Sequence, residues 1–272
     1  AVLGDGRVAT LAMAEATRTI PIVGVMGVDP VAFGLAESWT RPGRNVTGLS
    51  VLSEPLNTKR LQILRDIAPG AQRIGVIYGS AGLPPIALAL KTGSALGLDM
   101  HSIEIQSPDD LERRLSADDL QGLDAFLVGT DGFLDAVPGR VVQPLQRLRR
   151  PAIYPDRPYV ALGGLASYGV SYEEIFDRLA TLLDRVLRGG NPVTMPIEQP
   201  ERFHLTLNQR AAREAGVTFP PLILAQAREV LHAEASAVVE AANRLDDGFV
   251  RAVGLVEACT GNVVVTGIGK AG

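Results

Sequence analysis

The sequence predicts an α/β protein with two lobes, each built on a parallel sheet with crossover helices, and three observations predict it. At 272 residues the chain is longer than one hydrophobic core ordinarily serves, which favours two core-bearing units. Its balance of 46% hydrophobic to 21% charged residues, with 29 Gly and 18 Pro, is that of an ordinary α/β chain, neither disordered nor fibrous. Short apolar runs rich in β-branched residues alternate with stretches of helical periodicity, the rhythm of strand, crossover helix and parallel strand.

A first strand ends at Asp5, and further strands are expected over residues 20–26, 73–78, 101–105, 125–128 and 151–154. Asp29 followed by Pro30 predicts a helix running to Trp39, stopped by Arg41, Pro42 and Gly43. A helix over 61–67 ends at Pro69 and Gly70. Ser107, Pro108, Asp109 and Asp110 supply a cap, a first-turn proline and two acids ahead of Leu111, so a helix over 108–117 follows. Residues 171–188 carry Ile175, Leu179, Leu182, Leu183, Val186 and Leu187 at helical spacing and should pack on a sheet. The proline- and glycine-rich stretch 189–200 reads as a connection between lobes, and Phe219, Pro220 and Pro221 mark a second break. From Leu222 to Glu257 the pattern is helical and alanine-rich; residues 262–266 then read as a strand and 267–272 as a loop.

Composition also excludes. A formal charge of −4 with scattered Lys and Arg leaves no basic face for nucleic acid. Cys259 stands alone and His101, His204 and His232 lie far apart, so neither a disulfide nor a metal site is expected. No apolar run reaches the roughly 18–20 residues that cross a bilayer, and the first residues lack the pattern of a signal peptide. A chain that starts at Ala1 and stops in a glycine-rich loop at Gly272 reads as a fragment. No serine stands in G-x-S-x-G, and the acid pairs Asp109/Asp110, Asp118/Asp119 and Asp246/Asp247 fall at helix starts or turns, where capping explains them. No general acid or base is assigned.

Seven segments in order, 19–23 (TIPIV), 28–31 (VDPV), 41–48 (RPGRNVTG), 59–61 (KRL), 151–154 (PAIY), 163–169 (GGLASYG) and 196–200 (PIEQP), resemble the ABC-importer solute-binding proteins that include tryptophan- and tyrosine-binding members. The resemblance spans residues 1–230. It implies the two Rossmann-like lobes of a type I periplasmic binding protein with a truncated N-terminal lobe, a small amino-acid-like ligand held in the cleft, an ABC permease as partner, a periplasmic location and no cofactor. The lobes are then expected at 1–70 and 71–155, with 156–225 returning to the first lobe and crossing over and 226–272 forming a separate, incomplete segment.

In open parallel sheets ligands collect beyond the carboxyl ends of strands. Asp5, Asp29, Ser80, Thr130, Asp131 and Tyr154 fall there, and Ser167 and Tyr168 close one of the shared motifs. The acids would take an amine, and Tyr154 and Tyr168 a ring. Each has a structural alternative: Asp29 as a helix cap, Thr130 and Asp131 as a loop start, Tyr168 as interlobe packing, Asn45 and Thr47 as holders of a turn. Asp5 stands where the family commonly has Ser or Thr, and Gly79-Ser80 where it has Asn-Pro.

Residues 229–272 depart from that family. Segments 230–235, 243–250 and 261–272 resemble the start of arabinose-5-phosphate isomerases, of the sugar isomerase (SIS) fold, with Gly267, Gly269 and Lys270 in the sugar-phosphate loop. Gly267, Gly269 and Gly272 also satisfy G-x-G-x-x-G, whereas Val264 and Ala271 exclude a Walker loop. The alternative function is therefore a fused isomerase, which would be cytoplasmic.

Overall fold

The computed structural model describes residues 1–80, 83–116 and 120–227. They form two sheets. The first has the order β1 (Val2–Asp5), β2 (Ile22–Met26), β3 (Val46–Ser50) and β9 (Ile197–Glu198), all parallel. The second has the order β10 (His204–Leu207), β8 (Ala166–Gly169), β7 (Ala152–Tyr154), β6 (Ala125–Val128), β4 (Arg73–Gly79) and β5 (Asp99–Ile105). Only β10 runs antiparallel there, against β8. The two-lobed α/β architecture read from periodicity is the one found.

Each sheet is covered by helices whose apolar stripes match it. The helix α1 (Gly6–Ala16) packs on β1 and β2. The long helix Tyr172–Leu187 lays Ile175, Leu179, Leu182 and Val186 on Val23, Val25 and Leu49 of the first sheet and on Val51 just beyond it. Ser171 caps it by accepting from the Glu174 amide, and Glu173 and Glu174 stand in its first turn. In the second lobe α2 (Ser53–Ile67) buries Leu61, Leu64 and Ile67 against Ile74, Val76 and Leu127, with α3 (Leu83–Ala95) beside it. The opposite face carries α4 (Pro108–Arg114) and the helix Pro138–Arg147, whose Leu111, Val141, Val142 and Leu145 meet Ile103, Phe126 and Val128. Ser107 caps α4 through the Asp110 amide.

Several expectations are corrected. The chain leaves the first sheet after Ser50, and α2 packs in the second lobe, so the lobe boundary falls near residue 52 and not at 70. Residues 156–169 remain in the second lobe, the Tyr172–Leu187 helix and β9 return to the first, and β10 rejoins the second sheet. No helix forms over 30–39: the amides of Leu35 and Ala36 both return to the Pro30 carbonyl, and Gly34 sits at φ 67°, which closes a turn. Asn45 does hold a loop, donating to the Ile20 carbonyl at 2.7 Å. Thr47, expected in a turn, is buried in β3, where its hydroxyl donates to the Met195 carbonyl at 3.1 Å. Beside it Gly48 has φ +140°, and a Cβ there would lie 1.9 Å from the Gly24 carbonyl oxygen. Only glycine allows β2 and β3 this contact.

The chain crosses between lobes three times: after β3, between β8 and the Tyr172–Leu187 helix, and between β9 and β10. The carboxyl ends of both sheets lead into these crossings, which places the candidate site there.

Candidate functional site

The second sheet has a topological switch point. From β4 the chain moves outward to β5, then returns to the other side of β4 for β6, β7 and β8. The loops after β4 and β6 therefore leave in opposite directions, and a crevice opens between their carboxyl ends, where ligands collect in such sheets.

Gly79 ends β4 and Asp131 follows β6 across that crevice. Asp131 caps the short helix Gly132–Ala136: its Oδ1 accepts from the Phe133 amide at 3.0 Å. Its Oδ2 is buried and has no hydrogen-bond partner among the described residues, in a side chain whose residue is only 6% exposed. The carboxylate lies over Gly79, whose Cβ would come 2.4 Å from Oδ1 and 2.6 Å from Oδ2. Any side chain at 79 would fill the crevice.

Arg60 is 2% exposed and organises the floor. It projects from the apolar face of α2, one turn from Leu56 and Leu64. Its Nε donates to the Tyr168 carbonyl at 2.6 Å, one terminal nitrogen to Asn57 Oδ1 at 2.6 Å and Thr130 Oγ1 at 2.8 Å, and the other to the Pro155 carbonyl at 3.1 Å. One guanidinium thus ties α2 to the ends of β6, β7 and β8. Burial draws its pKa down to about 10, opposed by the charges of Asp135 and Asp156.

Asp135 accepts a hydrogen bond from the Tyr159 hydroxyl at 2.7 Å. Burial pushes its carboxyl up to about 7, with the negative charge of Asp156 adding to the rise; the Tyr159 bond and Arg60 oppose it, and Asp131 raises it further. The Tyr159 phenol is driven above its ordinary range by burial and by Asp135. Tyr172, at the start of the first lobe's long helix, is raised by burial and by the charges of Asp135, Asp156 and Asp5, with Arg60 opposing. A ring from the first lobe therefore feels acids of both lobes. The arrangement can bind and neutralise a cationic group beside an aromatic surface.

The residues expected at the site divide. Thr130 and Asp131 stand just beyond β6, and Asp5 is exposed at the end of β1, where its charge is the smallest of those that raise Tyr172. Ser80 is exposed just beyond β4. Asp29 is engaged as a turn cap, accepting from the Val31 and Ala32 amides at 2.8 and 3.2 Å. Tyr154 is a correction: it is 1% exposed and stacks on Tyr159 at 5.2 Å, so its ring is part of the core. Ser167 is likewise buried, and the Tyr168 ring stacks on Phe203 at 6.1 Å while its carbonyl holds Arg60. Sequence reading missed Arg60, Asp135, Asp156, Tyr159 and Tyr172. A charged residue at an apolar position of α2 was the available sign for Arg60; the others carry no local signal. Gly267, Gly269 and Lys270 lie outside the described residues.

The description "ABC transporter substrate binding protein" matches residues 1–231. A tyrosine-binding protein from Clostridioides difficile strain R20291 is 28% identical over 200 residues, 72% of this chain and 56% of that protein; the chain thus spans little more than half the length of this curated relative. Among solved structures, an ABC domain in complex with L-Trp from Streptococcus pneumonia superposes with a TM-score of 0.73 at 22% identity, covering 83% of this chain and 76% of that one. A conserved domain protein from Vibrio cholerae gives a TM-score of 0.75 at 25% identity over the same shares. All but the first residues of the isomerase-like segment 229–272 lie beyond the family match at 231, and none of these matches supports it.

Proposed function

This chain belongs to the ABC transporter substrate binding protein family, with the fold of type I periplasmic binding proteins, and from that premise we propose that it is the solute-binding component of an ABC importer. It holds a small, amino-acid-like organic ligand between its lobes and performs no chemistry on it. The observation that carries this reading is the crevice at the switch point, where the buried Asp131 Oδ2 lacks a partner and the first lobe's Tyr172 faces the second lobe's acids. An unsatisfied buried oxygen costs roughly 1–3 kcal/mol, which a ligand amine would recover on binding. Closure about the three crossings would then bring Asp5 and Tyr172 over the ligand, and the closed form is what a membrane permease would recognise. A location outside the cytoplasmic membrane follows from this role. The tyrosine-binding relative and the L-Trp complex favour an amino-acid-like ligand.

Thermal melting of the purified chain against the amino acids, simple amines and arabinose 5-phosphate tests the reading. A ligand at a hundred times its Kd stabilises the folded state by about 2.7 kcal/mol, a readable rise in midpoint. We expect a rise with an amine-bearing ligand. A rise with the sugar phosphate alone would overturn the receptor reading.

A further inference from the structure

We propose that the cleft selects a ligand of net positive charge, an organic amine or basic amino acid, over a zwitterionic amino acid with an uncharged side chain. The inference rests on the binding reading above and adds the charge class to it. Asp131, Asp135 and Asp156 gather beyond the second sheet, and Asp5 stands across from them at the end of β1. Arg60 is the sole buried basic side chain among the described residues. All three of its guanidinium nitrogens are engaged by protein oxygens. It supplies one positive charge, and four of its five N–H groups are already engaged, which leaves a single N–H beside the Pro155 carbonyl where a bidentate carboxylate needs two.

Asp131 supplies an independent sign of what is held. Its cap needs one oxygen, and the other is buried, partnerless and set over Gly79 in the crevice. Such an oxygen fits an N–H⁺ donor and repels a carboxylate. The other place for a ligand carboxylate would be the amino end of α1, whose free amides attract anions. There Asp5 occupies the cap position with no side-chain hydrogen bond to the helix, so its negative charge already sits at that end. Arg7, in the first turn of α1, stands over the Phe33 ring at 5.7 Å on the rim.

Asp135 gives the selection a pH signature. It is faced by Asp131, Asp156, Arg60, Tyr159 and Tyr172, and its carboxyl is held near 7 chiefly by burial. A bound cation favours the ionised form, so binding releases a proton and strengthens as pH rises through that value.

Titration calorimetry of the chain at pH 6 and pH 8 with agmatine, putrescine, L-Arg and L-Lys, against L-Tyr, L-Trp and L-Leu, tests the inference. One of the cations should bind at least about 10-fold more tightly than every uncharged amino acid. Its affinity should rise severalfold from pH 6 to pH 8 and fall by about 10-fold in Asp131→Asn, a variant that keeps the cap because Asn serves as well as Asp. Asp135→Asn should flatten the pH dependence. Tighter binding of L-Tyr, L-Trp or L-Leu than of any cation would overturn the charge class and leave the receptor reading intact. Heat from neither group would overturn both.

Discussion

The two lobes treat the polar groups at their strand ends differently. In the first, Ser50 is buried and its hydroxyl donates to the Val28 carbonyl at 2.5 Å, while Asp29 closes on the amides of its own turn. In the second, Arg60 is surrounded by acceptors, yet Asp131 retains an unpartnered oxygen and the Asp135 carboxyl feels the charge of Asp156. Buried polar groups are normally satisfied, and the exceptions concentrate where a ligand completes them. The difference teaches that the first lobe offers a finished wall and the second an unfinished one. Ligand choice should therefore be sensitive to the second lobe and largely indifferent to Ser50.

Three substitutions would break or sharpen that contrast. The largest effect is expected from Arg60→Ala, which removes donors from Asn57, Thr130 and two carbonyls and leaves the nearby acids without their counter-charge. Removing one partner of a buried charge network costs about 3–5 kcal/mol, and chemical denaturation should show a loss of that size; a change within 1 kcal/mol would mean the floor of the second lobe is not organised as described. Asp135→Asn should act in the opposite direction. Because the folded-state pKa is raised to about 7, this carboxyl lowers stability progressively as pH climbs from its unfolded value through 7, and contributes no such penalty below that unfolded value. The variant's melting temperature should exceed the parent's at pH 8, with the gap closing as pH falls toward 4. Smallest is Ser50→Ala, with a loss of about 1 kcal/mol for one buried hydrogen bond and no change in ligand affinity by calorimetry. An affinity change there would extend the first lobe's part in recognition from Asp5 and Tyr172 to the end of β3.

How far these features could be read from the sequence differs from element to element. The buried strands β2, β4, β6 and β7 are dense apolar runs, and α4 and the Tyr172–Leu187 helix declare themselves by cap, acids and spacing, because each signal lies within one turn or one strand. β3 did not: Thr47 and Gly48 look like turn residues, and they lie in a strand because Gly48 packs directly on Gly24. The lobe boundary was misplaced for a similar reason. α2 begins with Ser53 and holds Pro55 in its first turn, so its start is hidden, and which sheet it covers depends on partners far along the chain. Tyr154 ends a strand, as a cleft residue would, and the pairing with Tyr159 that buries it is not visible in the order of residues.

What this sequence determined by itself is its alternation of strands and helices and the set of residues that follow strand ends, Thr130 and Asp131 among them. Those depend on periodicity, caps and turn chemistry, which act over a few residues. Which acids share one buried space was decided only by the tertiary structure. Arg60, Asp135, Asp156 and Tyr172 come from four separate segments, and their charges interact because two sheets bring them into a medium that screens poorly. Burial, not composition, turns an ordinary aspartate into one that titrates near neutrality.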